Sequence, residues 1–167
     1  MEWKLETVGM DFFTSADYRC TCSATLAAPP QAIFEALTGD PAGWAAWNPG
    51  FSKKGHWTTP APHGTGSVRE VSMSGVRYTD TILVWEEPSR WAFYVGLAGA
   101  PLVRALAEEY QISPSGAGSM VQWTIAMKPR LALQALRPLT DAFLPRYFAK
   151  AMANLDRHLT GDGRSPG

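Results

Sequence analysis

Three charged residues sit where the strand pattern asks for apolar side chains. In "SVREVSMS", Arg69 lies in phase with Val71 and Met73. In "AEEYQI", Glu108 shares its phase with Tyr110 and Ile112. In "RYTDTILV", Asp80 shares its phase with Tyr78, Ile82 and Val84, although the opposite phase (Leu83, Trp85) is nearly as apolar. A strand buried on one face does not hold charge on that face unless the charge is paired or used. Used, the set has a defined chemistry. An acidic side chain can remove a proton next to a ketone while Arg69 or Tyr78 stabilises the developing enolate, as an aldol cyclisation or dehydration in an apolar pocket requires. Paired, the residues form an ion pair at the sheet margin, and a bulge would shift the parity by one.

Aromatic residues supply a second constellation. Trp91, Phe93 and Val95 alternate along one strand, Tyr110 and Trp123 stand on others, and Phe143 and Tyr147 fall on a C-terminal helix. Core packing accounts for most of this. A cavity wall accounts for the excess, with Met73, Tyr78 and Met152 as adaptable or polar-tipped members. The stretch "AAPPQAIFEALTGDPAGWAAWNP" adds Trp44 and Trp47 directly after a short helical run, where they either seal one end of a fold or form the rim of a pocket. Sealing suits Trp47, and the rim stays open for Trp44.

The elements that must position these residues follow from the periodicity. "DYRCTCSATLA" is strand-like and ends at Pro29–Pro30, after which "QAIFEAL" places Ile33, Phe34 and Leu37 at helical spacing. A second short turn, "DPAGWAAW", follows. A run of about five or six antiparallel strands comes next, with Ser74–Gly75 as a tight turn. Val121, Trp123, Ile125 and Met127 alternate with Gln122, Thr124 and Ala126, the period of a half-buried strand. The last element is one long helix on the stripe Leu136, Leu139, Phe143, Tyr147, Ala151, Leu155 and Leu159, widened by Leu144, Phe148 and Met152. Pro138 suits its first turn, and Pro145 predicts a kink or a broken turn. The β run cannot close its apolar face alone, and only this helix is long enough to cover it.

Composition narrows the partners. Fifteen basic and fifteen acidic residues give no net charge, which makes nucleic acid and an anionic membrane poor default partners. No window approaches the length of a membrane span, and the acidic N-terminus "MEWKLETVGMDFF" is unlike a signal peptide, so a cytoplasmic protein is expected. Cys20 and Cys22 project from one face of a strand, where two free thiols are expected. "GTGSVR" lacks the final glycine of a dinucleotide loop and the Gly-Lys of a phosphate loop, so it reads as a turn into a strand, and no G-x-S-x-G is present. A metal site would have to draw on the scattered His56, His63 and Asp80, so neither metal nor cofactor is expected.

This order of elements, with "LAAPPQAIFEALTGDPAGWAAWNP", "GTGSVRE", "TDTILVWEEPSRWAFYV", "GSMVQWTIAMKP" and the terminal amphipathic helix, resembles the START and birch-pollen-allergen-like (SRPBCC) superfamily over about residues 17–160. The polyketide cyclase/dehydrase-like branch is the nearest match. The resemblance implies an α+β helix-grip fold. A curved antiparallel sheet of about six to seven strands wraps around a long C-terminal helix, with two short helices after the first strand. One domain over residues 1–160 and a disordered tail over 161–167 are expected. The fold also implies a cavity between sheet and helix that takes a small hydrophobic or amphipathic molecule such as a lipid, polyketide or isoprenoid-like compound. Trp44, Met73, Tyr78, Trp91, Phe93, Tyr110, Trp123, Phe143 and Tyr147 would line it. A cyclase, aromatase or dehydratase using Arg69, Glu108 and Asp80 is the enzymatic alternative. A protein-interaction module of the co-chaperone kind, with Trp44 and Trp47 as an exposed patch, is the third. Oligomeric state is not written in the sequence.

Overall fold

In the computed structural model, which describes residues 2–161, eight antiparallel strands form one sheet. In chain order they are β1 (Trp3–Lys4), β2 (Tyr18–Leu26), β3 (His56–Trp57), β4 (Val68–Met73), β5 (Val76–Glu86), β6 (Arg90–Ala98), β7 (Val103–Ser115) and β8 (Gly118–Pro129). The helices are α1 (Phe12–Ser15), α2 (Pro30–Thr38), α3 (Leu131–Ala135) and α4 (Arg137–Thr160), with a 3-10 turn at Pro41–Ala46. The sheet runs β2-β8-β7-β6-β5-β4-β3, and β1 joins it on β6. This is a helix-grip fold. The expected tail at 161–167 lies outside the described residues apart from Gly161.

Turn chemistry fixes the meander. Ser74 and Gly75 both take positive φ (51° and 80°), the conformation a two-residue hairpin needs to match strand twist. At Gly118 a Cβ would sit 2.0 Å from the Leu26 carbonyl oxygen, so only glycine allows β8 to start against the end of β2. Asp40 accepts the Ala42 N–H at 3.0 Å and caps the 3-10 turn.

The concave face carries the main core. Val121, Trp123, Ile125 and Met127 of β8 all enter it, as do Ile33, Phe34 and Leu37 of α2 and Phe148, Ala151, Met152 and Leu155 of α4. On β5 the expected phase breaks. Register shifts fall between Thr79 and Asp80 and between Ile82 and Val84. Tyr78 and Ile82 therefore pack inward, Val84 turns to the convex side, and Trp85 takes the inner position.

The convex face is covered by a segment in which the sequence shows no element. β7 pairs with β6 only from Arg90 to Tyr94, which leaves the end of β6 free for β1. From there the chain crosses the sheet to α1. Phe12 and Phe13 rest on Ala92, Ala105, Ala107 and Ala126, small side chains that let a second layer approach.

α4 departs from its predicted stripe at both proline-bearing turns. It runs without interruption through Pro145, so the predicted break is absent. Leu136, Leu139 and Phe143 of the predicted stripe are exposed, because they face an open groove shared with Ala98, Ala100 and Leu102 instead of closed core. Among the described residues no helix is long and apolar enough to cross a membrane.

Candidate active and ligand-binding cavity

Between the concave face and α4 lies a cavity of about 180 Å³. Every strand from β4 to β8 contributes to it, and α4 closes it with Phe143, Leu144 and Tyr147. It opens toward an outer groove of about 470 Å³, and the two share Tyr78, Leu106, Phe143 and Leu144. The inner chamber alone is below the usual range of about 300–1,000 Å³ for ligand pockets, whereas chamber and groove together fall within it.

Arg69 and Asp80 face each other directly across the β4–β5 ladder. The guanidinium donates from Nε to Asp80 Oδ2 at 2.9 Å, and both side chains are almost fully buried. Three rings surround the guanidinium carbon: Trp44 and Trp91 at 4.6 Å and Phe93 at 4.9 Å from their centroids. Desolvated cation–π contacts of this kind contribute about 2 kcal/mol or more each, which offsets part of the burial penalty on the charge. The pair thus lies in the interior and lines the cavity, not at the sheet margin. Burial pushes the Asp80 carboxyl up and the neighbouring Arg69 pulls it down, with a net upward shift.

Glu108 stands on β7 between Phe93 of β6 and Ile125 of β8. Trp123 donates its indole N–H to Glu108 Oε2 at 2.9 Å, and the Tyr110 hydroxyl approaches the same oxygen at 3.5 Å. Glu108 is only partly exposed, and it lines the cavity. Burial, reinforced by the Asp80 charge, pushes its pKa up to about 7 against the pull of Trp123 and Arg69. The phenols of Tyr78, Tyr110 and Tyr147 are all raised, chiefly by burial and next by the Glu108 charge, so they stay protonated donors at neutral pH. Tyr147 donates to Asn48 Oδ1 and lies 3.9 Å from Met73 Sδ.

The cavity therefore gathers one fixed ion pair, one carboxyl poised near neutrality and several phenols inside apolar walls. Such a set can accept or donate a proton at Glu108 and can hydrogen-bond a carbonyl or hydroxyl. Met73, Tyr78, Phe93, Tyr110, Trp123, Phe143 and Tyr147 line it together with Arg69, Asp80 and Glu108. Trp91 does not: it is fully buried behind the Arg69 guanidinium, which takes its place at the surface of the chamber. Trp44 lines the cavity but forms no rim, and neither tryptophan forms an exposed patch. Trp44 and Trp47 are buried at the inner end, their rings 4.9 Å apart, because the 3-10 turn folds under the sheet. Trp44 donates to the Leu37 carbonyl and Asn154 donates to that of Trp47, tying the turn to α2 and α4.

Residues that sequence reasoning missed fall into two kinds. Val71, Val95, Leu106 and Ile125 follow from the same strand parity that marked their neighbours. Asn48 and Phe51 come from an irregular segment with no periodicity to mark them. His56, His63 and Asp80 are not brought together: His63 stacks on Trp57 at 4.3 Å while Asp80 is taken by Arg69. Among the described residues no group of three or more His, Cys, Asp or Glu could hold a metal ion. Cys20 and Cys22 are free thiols with Sγ atoms 3.7 Å apart, and burial pushes the Cys22 thiol up to about 11, which leaves it a weak nucleophile.

Comparison with known proteins agrees with this architecture. An uncharacterised protein of Mycobacterium tuberculosis is 34% identical over 158 residues, covering 92% of this chain and 91% of the relative, and one of Mycobacterium bovis matches equally. A START superfamily protein from Mycobacterium smegmatis superposes with a TM-score of 0.66 at 15% identity, over 86% of this chain and 97% of that one. A major latex-like protein from Panax ginseng superposes with a TM-score of 0.67 at 14% identity, over 85% and 97% of the two chains. At such identity the superpositions speak for the fold alone. Residues 19–160 match the family described as polyketide cyclase / dehydrase and lipid transport, and the chain belongs to that family.

Proposed function

We propose that the protein binds a small amphipathic molecule, of lipid, polyketide or isoprenoid-like character, with its polar end in the inner chamber and its apolar body in the outer groove. The observation that carries this reading is the polarity gradient along the cavity. Arg69, Asp80, Glu108 and Tyr110 cluster in the chamber, while the groove beyond Tyr78 is walled by leucine, alanine, valine and phenylalanine. A molecule with a carbonyl or hydroxyl at one end satisfies both parts. Family membership supports ligand binding in general and leaves the ligand's identity to experiment. The test is displacement of the fluorescent apolar probe N-phenylnaphthylamine by a panel of fatty acids, methyl ketones and aromatic polyketides. Native mass spectrometry of the purified protein should report any carried ligand. Failure of every class to displace the probe, with no ligand carried, overturns the reading.

A second reading is supported by Glu108 specifically. A carboxyl with a pKa of about 7 in a water-poor chamber, beside a cation and phenolic donors, suits acid–base catalysis. In a cyclase or dehydratase, Glu108 would remove a proton next to a ketone, while Arg69 and Tyr110 hold the developing oxyanion. Asp80 would position Arg69 through its Nε bond. Glu108→Gln separates the two readings: binding persists in both, and only an enzyme loses turnover.

A further inference from the structure

The mouth of the outer groove presents an apolar surface that nothing among the described residues covers. Leu131 is 82% exposed, Leu139 66%, Phe143 56%, Leu136 49% and Leu102 48%. α3 has no fully buried side chain and turns only Leu133 part-way into the core, although a helix in water is normally held by an apolar stripe turned inward. Two separate chain segments, the β6–β7 turn and the α3–α4 region, bring Leu102, Leu136, Leu139 and Phe143 to one groove, and Leu131 stands just outside it at the start of α3. Charge is distributed unevenly around it. Residues 99–104 and 130–146 hold four arginines (Arg104, Arg130, Arg137, Arg146) against one acid, Asp141, while the rest of the chain holds eleven basic and fourteen acidic residues. All four arginines are exposed; Asp141 lies 3.8 Å from Arg137, whose guanidinium carbon also sits 5.6 Å from the centroid of the Tyr18 ring, so Arg104, Arg130 and Arg146 are the ones without an ion pair among the described residues.

We propose that this face docks on the surface of an anionic lipid bilayer. α3 and the first turns of α4 enter the interface with Leu131, Leu136, Leu139 and Phe143, and the arginines lie among the headgroups. A second copy of the chain suits the face less well, since a two-fold contact would set the same arginines against each other. A nucleic acid would leave the leucines without a partner. Because the groove and the inner chamber share Tyr78, Leu106, Phe143 and Leu144, the docked protein turns the opening of its cavity to the bilayer. The proposal does not depend on what the cavity carries.

The experiment is sedimentation of the full chain with phosphatidylcholine vesicles, with and without about 30% phosphatidylglycerol, across a salt series. Binding is expected to the anionic vesicles and to weaken with salt. The double variant Leu131→Asp/Leu139→Asp should lower the partition coefficient by at least about tenfold. Arg130→Gln/Arg146→Gln should weaken binding and flatten its salt dependence. All four positions are exposed, and unchanged thermal melts of the variants show that folding is not the cause of any loss. Absence of binding to anionic vesicles, equal binding by wild type and both variants, or a solution dimer that Leu131→Asp/Leu139→Asp dissolves would overturn the proposal.

Discussion

At the inner end of the cavity Trp44, Trp91 and Phe93 enclose a guanidinium that Asp80 holds at 2.9 Å, and the 3-10 turn above them is tied to α4 through Asn154. At the outer end, α3 and the first turns of α4 touch little and show their leucines to solvent. One end invests its aromatic surface in fixing a buried charge. The other leaves apolar surface unspent. The difference teaches that stability and exchange are separated along one axis of the molecule. A rigid chamber can hold a polar group in place, while a lightly packed mouth can open at low free energy.

The largest effect that would break this contrast belongs to the ion pair. Asp80→Ala leaves the Arg69 charge buried without its partner and should lower unfolding free energy by about 3–5 kcal/mol in denaturant titration. A loss under about 1 kcal/mol would make the pair no different from a surface salt bridge. Next comes Glu108. Its folded pKa of about 7 lies above the model-peptide value of 4.5, so the folded state binds the extra proton and its stability is full below about pH 4.5 and falls as pH rises through 7. Glu108→Gln should remove that fall and stabilise the protein at pH 8 by an amount on the order of 3 kcal/mol, read from unfolding curves at both pH values. The smallest effect is expected at the mouth. Leu131→Ser and Leu139→Ser should move stability by no more than about 0.5 kcal/mol, and a larger loss would show that these leucines pack after all.

Much of this axis was legible in the sequence because strands impose a period of two. Arg69, Glu108 and Asp80 stood out as charges in an apolar phase, and the chamber is where the structure puts them. The phase of Asp80 is ambiguous because Leu83 and Trp85 make the opposite phase nearly as apolar, and the β5 register shifts explain why: Val84 and Trp85 exchange sides of the sheet. Trp91 and Trp44 could be placed on elements but not in depth, since depth depends on which neighbour reaches the cavity first. The helix stripe misled at Leu136 and Leu139, because periodicity reports a face and not whether anything covers it. The arm formed by β1 and α1 had no periodicity to read. Its only trace was the run of alanines, Ala92, Ala105, Ala107 and Ala126, on the opposite phase of three strands. Net charge likewise hid the basic mouth, since a sum of zero says nothing about distribution.

The claim on which the rest depends is that a ligand places a hydrogen-bond acceptor against Glu108. The most direct measurement is the affinity of a medium-chain methyl ketone, by displacement of N-phenylnaphthylamine, from about pH 5 to about pH 9 in wild type and in Glu108→Gln. A protonated Glu108 donates to the ketone and an ionised one opposes it, so wild-type affinity should fall as pH rises through about 7, while the glutamine variant, whose amide donates at every pH, should bind with little pH dependence. A wild-type affinity that is flat across this range, or the same fall in the variant, would contradict the assignment of Glu108 to the ligand.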